Sequence, residues 1–286
     1  MTPPLDLSSA DAKFERAKFH AHELQDNIRK WVHDDVNPVI RIGLEDDPKR
    51  QRTLAYAESI KDVPPEWGLI LGDALHNYRS ALNHAVGALV LIGSNPEAFV
   101  DPDSGFQFPV CDTSRSDFFA PKGRVRKSQL PGVPLKYLRA ISQFQPYHRR
   151  RSRWALSALK LLNDLDKHRK PILATHHVAA QLASVPLGYG EDTKTPVGTF
   201  KSLRPRGRLQ PGTKLAYLIW LTNERPIILV PPYGPLRGKP EVTMHFHSVS
   251  AVVIEELFPG RVVLVDGFIQ AADRLVDEVL GKLRQV

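Results

Sequence analysis

Asp73-Ala-Leu-His-Asn-Tyr-Arg79-Ser-Ala-Leu-Asn83-His84 reads as the middle of a long amphipathic helix. Leu71, Leu75, Tyr78, Leu82, Ala85 and Leu89 recur at spacings of three and four, which places them on one stripe of an α-helix. Pro64-Pro65 suits the first turn, where no N–H partner is needed, and Gly93 to Pro96 stops the pattern. A helix is therefore expected over 65–92. Into this pattern are set an Arg, two His, an Asp and two Asn, so the helix carries either a site or a polar seam. At about 100° per residue, Asp73, His76, Ser80 and His84 line up opposite the apolar stripe, with Arg79 and Asn83 to one side of that line. Arg79 and His84 differ by about 140° in direction and about 7.5 Å in height. For both to reach one target, the Arg arm must bend round, or the same helix of a second subunit must complete the site across a two-fold axis.

Outward from this helix, other segments keep helical spacing. Ser8 or Ser9 is placed to cap a first helix over 8–33, with Phe14, Ala17, Ala21, Leu24, Ile28 and Trp31 on its apolar face. Asn37-Pro38 ends it, and 39–44 and 52–60 read as a hairpin around Glu45-Asp-Asp-Pro48. Residues 101–145 are rich in Pro and Gly, include the basic run Lys122-Gly-Arg-Val-Arg-Lys127, and read as short irregular surface pieces. A third helix over 152–169 turns Trp154, Ala158, Leu161, Leu162 and Leu165 inward and stops before Pro171. Its last turn reads Asp164-Leu-Asp166-Lys-His168-Arg169. From 171 to 257 the text becomes β-like, with strands expected at 214–222, 226–231, 241–249 and 250–257. A last helix over 262–284 carries Phe268, Ile269, Ala272, Leu275, Val276, Val279, Leu280 and Leu283.

The expected fold class is α+β: a helical bundle of about four long helices with a mainly antiparallel β insertion before the C-terminal helix. By domain, 1–170 is the helical part with a small hairpin near 39–60, 171–257 is the β-rich insertion, and 258–286 is a C-terminal helix packing back on the bundle.

Composition narrows the function classes. One cysteine, Cys111, excludes an internal disulfide and a thiolate-rich zinc site, and points to a reducing compartment such as the cytoplasm of a bacterium. The first residues lack a signal-peptide pattern and the longest apolar run is too short to span a bilayer, so no membrane association is expected. Gly-x-Gly-x-x-Gly, the Walker pattern and Gly-x-Ser-x-Gly are absent, and no cofactor is implied. His20-x-His22, His176-His177 and His245-x-His247 have no third ligand at diagnostic spacing, so no metal is expected.

Charge is unevenly spread within the net +8: residues 1–114 carry 11 Lys/Arg against 18 Asp/Glu, whereas residues 115–170 carry 15 against 3. The densest piece is His148-Arg-Arg-Arg-Ser-Arg153. Clustered cations attract phosphates over a Debye length of roughly 8 Å, which makes a polyanion, RNA above all, a candidate partner; a solvated helix start is the plainer reading. At the end of the third helix, Lys167, His168 and Arg169 suit the helix dipole. Asp166 and Arg169 border the inward face, where a charge needs a partner, so a half-buried contact with the Arg79 helix is expected.

The spacing Arg79-x-x-x-x-His84 on a bundle helix resembles the signature of the HEPN superfamily, whose metal-independent ribonucleases carry Arg-x(4 to 6)-His. Ser80 departs from that pattern, which often has Asn, Asp or His after the Arg. Leu75-His-Asn-Tyr-Arg-Ser-Ala-Leu-Asn-His84 and Leu162-Asn-Asp-Leu-Asp-Lys-His-Arg169 also resemble phrases of uncharacterised bacterial proteins. The HEPN resemblance implies RNA cleavage by attack of a 2′-hydroxyl on the adjacent phosphorus. His84 would then move the proton and Arg79 hold the phosphate, with His76 and Asp73 as a second acid/base or orienting pair. Asn83, Arg149, Arg150, Arg151, Arg153, Lys167, His168 and Arg169 would contact the substrate. A toxin or phage-defence role, a homodimer and an antitoxin partner belong to the same expectation. The rival is a non-catalytic scaffold or nucleic-acid-binding protein, in which the Asp73, His76, Arg79 and Asn83 side chains lock helix to helix.

Overall fold

Two units make up the computed structural model, which describes residues 4–34, 39–93, 106–123, 125, 129–148, 154–168, 175–182, 198–202, 210–220, 227–229, 241–243, 246–258 and 261–286. The chain is a mixed α+β protein. One unit comprises 1–26, 64–174 and 254–286; the other comprises 27–63 and 175–253.

The first unit is helical. It holds most of α1 (Ser8–Val32), together with α2 (Glu66–Ile92), α3 (Arg115–Phe119), α4 (Leu135–Ser142), α5 (Trp154–His168) and α6 (Val265–Arg284). Helix α2 packs on α5 and α6, α5 on α6, and α4 on α6. The apolar stripes meet there: Leu71, Leu75, Tyr78, Leu82, Ala85 and Leu89 of α2 are buried with Phe268, Ile269, Ala272, Val276 and Leu280 of α6. Phe14 of α1 lies 6.2 Å from the Tyr78 ring, and Tyr78 donates from its hydroxyl to Asp273 Oδ1 at 2.5 Å. The start of α1 differs from expectation. Its first N–H, that of Ser8, goes to Asp6 Oδ1, so the aspartate supplies the capping oxygen. In α5 the inward residues are Ala155, Leu156, Ala158, Leu159 and Leu162, whereas Leu161 is 40% exposed. The two adjacent leucines cannot share a face at 3.6 residues per turn.

The described part of 101–145 is no surface covering. Phe108, Cys111, Phe118, Leu130, Leu138, Ile141 and Phe144 are buried, and two short helices form within the stretch. Ser114 caps α3 by accepting from the Asp117 N–H. The high Pro and Gly content signalled interruption of regular structure, not exposure.

The second unit is β-rich. Strands β1 (Ile40–Asp47) and β2 (Arg52–Ile60) form the expected antiparallel hairpin, but the turn is later than its residue types suggest. β1 runs on through Glu45 to Asp47, and Pro48–Arg50 makes a 3-10 turn capped by the Asp47 carboxylate, with Gln51 in the left-handed region at φ 46°. β2 pairs antiparallel with β5 (Lys214–Trp220), which pairs with β4 (Gly198–Ser202), giving the order β1-β2-β5-β4. Val39, Ile40, Ala57 and Leu215 form its core, with Trp31, Ile42 and Ile60 packed against them. The hairpin, assigned from sequence to the 1–170 part, thus shares a sheet with strands from beyond residue 198.

β3 (Thr175–Leu182) pairs antiparallel with β8 (Phe246–Phe258), whose residues from Ile254 on, like β9 (Arg261–Leu264), are counted with the first unit. Where two strands were expected over 241–257, β7 (Glu241–Thr243) is short and β8 runs unbroken from 246. β7 pairs parallel with β6 (Ile227–Leu229). The last helix starts at Val265, after β9. No helix among the described residues is long and apolar enough to cross a membrane.

Candidate functional site

Helix α2 sorts its polar residues to two sides. Asn77, Tyr78 and Arg79 are buried, Asn83 is half-buried, and Asp73, His76 and His84 are exposed. The exposed set is the line expected opposite the apolar stripe. Arg79 and Asn83, one turn apart, face a stretch of chain that belongs to no strand.

That stretch runs through Gln107 and Phe108. Asn83 Oδ1 accepts from the Phe108 N–H at 2.9 Å, and Arg79 Nη2 donates to the Phe108 carbonyl at 2.6 Å. A longer contact of 3.5 Å joins Nη2 to Gln107 Oε1. Further along, Gln145, itself fully enclosed, accepts from the Cys111 N–H at 2.9 Å, and the Tyr147 N–H reaches the Cys111 carbonyl at 3.3 Å. Ser157 Oγ of α5 donates to Asp112 Oδ1 at 2.9 Å. Buried main chain must have its donors and acceptors met, and here side chains take the place of a neighbouring strand.

Arg79 is 5% exposed. Burial pushes its pKa down to about 10, opposed by the charge of Asp164 on α5. It remains a cation at neutral pH, so the cost of enclosing it is present throughout that range. Its Nη1 is buried and has no hydrogen-bond partner. Asp164, for its part, accepts from Lys160 Nζ at 2.7 Å. The expected contact between the α5 ending and α2 is made by Asp166, whose Oδ1 stands 2.6 Å from where a Cβ on Gly72 would be. Only a glycine lets the carboxylate come so close.

On the outer side, His76 Nε2 is 3.4 Å from Ser80 Oγ, and the Asp73 carbonyl accepts from Asn77 Nδ2 at 2.8 Å. His84 Nδ1 lies 2.5 Å from Ser9 Oγ of α1. Partial burial, with Lys13 nearby, holds the His84 pKa below the ordinary histidine range, so the ring is neutral at pH 7. Arg79 and His84 are therefore not brought together: one is committed to main chain inside, the other to a serine outside. Arg149, Arg150, Arg151, Arg153 and Arg169, and the side chains of Lys167 and His168, lie outside the described residues, as do those of His176, His177, His245 and His247. No group of three or more His, Cys, Asp or Glu is placed to hold a metal among the described residues.

Sequence reasoning missed Ser9, Phe108 and Gln145 as partners. A serine pair at a helix start reads as a cap, and nothing local signals a partner 75 residues away. Comparison of the chain with known protein families, curated proteins and solved structures gives no match, so the site is read from its own chemistry.

Proposed function

We propose that the protein is an RNA-binding relative of the HEPN type, a bundle of four long helices in which Arg79 serves the scaffold and is not half of a catalytic pair. The observation that carries the RNA half is the charge of residues 115–170, 15 Lys/Arg against 3 Asp/Glu. Of that stretch, Arg115, Lys122, Lys136, Arg139 and Lys160 are exposed. A phosphodiester chain meets such a surface favourably by releasing its condensed counterions. What supports the non-catalytic half is the commitment of Arg79 Nη2 to the Phe108 carbonyl. A guanidinium so held has no reach to a phosphate shared with His84.

Binding of a fluorescently labelled mixed single-stranded RNA across a salt series tests the reading. The wild type binds with an affinity that falls steeply with salt. Reversing charge at Arg149, Arg150 and Arg151 weakens binding and flattens the slope of log K against log salt by about 0.7 per lost contact. Unchanged binding after reversal, or none in the wild type, overturns the RNA assignment. Metal-independent cleavage of the same RNA, abolished by His84→Ala in a folded protein, would establish the ribonuclease in its place.

A further inference from the structure

The reading above makes no use of Ser9 and His84, the two side chains that meet most closely on the outer side of α2. Ser9 Oγ and His84 Nδ1 are 2.5 Å apart and both residues are exposed. With its proton on Nε2, the ring presents Nδ1 as the acceptor for the Ser9 hydroxyl proton. A hydroxyl hydrogen-bonded to a neutral imidazole is the activating unit of nucleophilic serine chemistry.

The surroundings suit that chemistry in two further respects. The first helical bond of α1 runs from the Asp11 N–H to the Leu7 carbonyl, and the Ser8 N–H is taken by Asp6. The N–H groups of Ser9 and Ala10 thus precede the hydrogen-bond ladder, beside the nucleophile, at the positive end of a 25-residue helix. Lys13 stands one turn further on, close enough to act on the His84 charge. Donors and a cation of this kind stabilise an oxyanion.

We propose that Ser9 is a nucleophile activated by His84, taking acyl groups from small activated carboxylic esters presented from solvent. Ser9 Oγ attacks the carbonyl carbon while its proton passes to His84 Nδ1. The bond from carbon to the ester oxygen breaks, and the departing alkoxide takes the proton from His84. Water repeats the sequence on the acyl-serine: its oxygen bonds to the carbonyl carbon, the bond to Ser9 Oγ breaks, and acid and free serine are released. Ser9 and His84 are the catalytic residues in this scheme.

A fluorophosphonate probe on the full-length protein, read by peptide mass spectrometry, tests it. The expected result is one phosphonyl group on Ser9, with fluoride as leaving group, and p-nitrophenyl acetate hydrolysis that the probe inhibits. Ser9→Ala abolishes both, and Ser8→Ala leaves both intact. His84→Ala and His84→Gln slow labelling by about 10²-fold, the usual contribution of a positioned general base. Circular dichroism melts check that these surface variants fold. Labelling of Ser8 as readily as Ser9, no labelling of Ser9, or an unchanged rate in both His84 variants overturns the proposal. RNA binding in Ser9→Ala stays at the wild-type level, which separates this activity from the one proposed above.

Discussion

Asn83→Ala is the most direct probe of what the inner side of α2 does. Asn83 Oδ1 is the acceptor for the Phe108 N–H, and Phe108 is 0% exposed, so the amide depends on that side chain for its partner. An unpaired buried amide costs about 1–3 kcal/mol. For a unit of this size each kcal/mol is worth roughly 2–4 °C, so the helical unit is expected to melt about 2–12 °C lower. Asn83→Asp keeps an oxygen in place and is expected to stay within about 1 kcal/mol of wild type. Arg79 gives the complementary comparison. Arg79→Met strips the Phe108 carbonyl of its donor, but it also removes an enclosed cation whose Nη1 is unpartnered, and the two effects oppose each other. Arg79→Ala adds a void to the same loss and is expected to cost more. Urea titration followed by far-ultraviolet circular dichroism, with the slope against urea unchanged, measures all four variants. Equal stability of Asn83→Ala and Asn83→Asp would refute the argument. So would an Asn83→Ala protein of wild-type stability that no longer binds RNA, because Asn83 would then belong to a ligand.

Three other outcomes follow from single contacts. Gly72→Ala puts a methyl against the Asp166 carboxylate and is expected to cost up to about 2 kcal/mol, whereas Gly281→Ala, open around its Cβ, gains about 0.5–1 kcal/mol of helix propensity; thermal melts showing both as stabilising would disprove the close approach. The His84 ring, observed by NMR, titrates below about 6.5, and Lys13→Ala moves its midpoint upward. Since the folded pKa is the lower one, the contribution of neutral His84 to stability is present above that pH and lost as pH falls through the unfolded and then the folded value. Tyr78→Phe removes a buried hydroxyl donor to the Asp273 carboxylate and is expected to cost about 1.5–3 kcal/mol by urea titration, a loss that Asp273→Asn reproduces only in part.

Periodicity made the long helices legible, because burial of one face leaves a mark every three or four residues. Leu71 to Leu89 in α2 and Phe268 to Leu283 in α6 carried that mark and are buried as expected. It also separated Asp73, His76 and His84 from Arg79 and Asn83. What it could not supply was the target of each side chain. Asn83 and Arg79 are polar for the sake of a peptide group at Phe108, and a peptide group has no letter in the sequence. The described part of 101–145 is buried for the same reason. Its main chain is met by Gln145 and by Asn83 and Arg79 of α2, so it could be buried without forming a strand. The catalytic look of the Arg79 and His84 spacing came from counting along one helix, where five positions turn the second side chain well away from the first.

The pairing of β2 with β5 sets an order of events during synthesis. The hairpin leaves the ribosome about 150 residues before Lys214–Trp220 does, a wait of roughly 8–30 s at ordinary elongation rates. Throughout that interval the β2 edge stands open on the nascent chain, a template for any extended segment that arrives first. Chaperone occupancy early in translation, and aggregation when translation stalls between the hairpin and its partner, are the outcomes expected of a sheet drawn from two distant parts of the message.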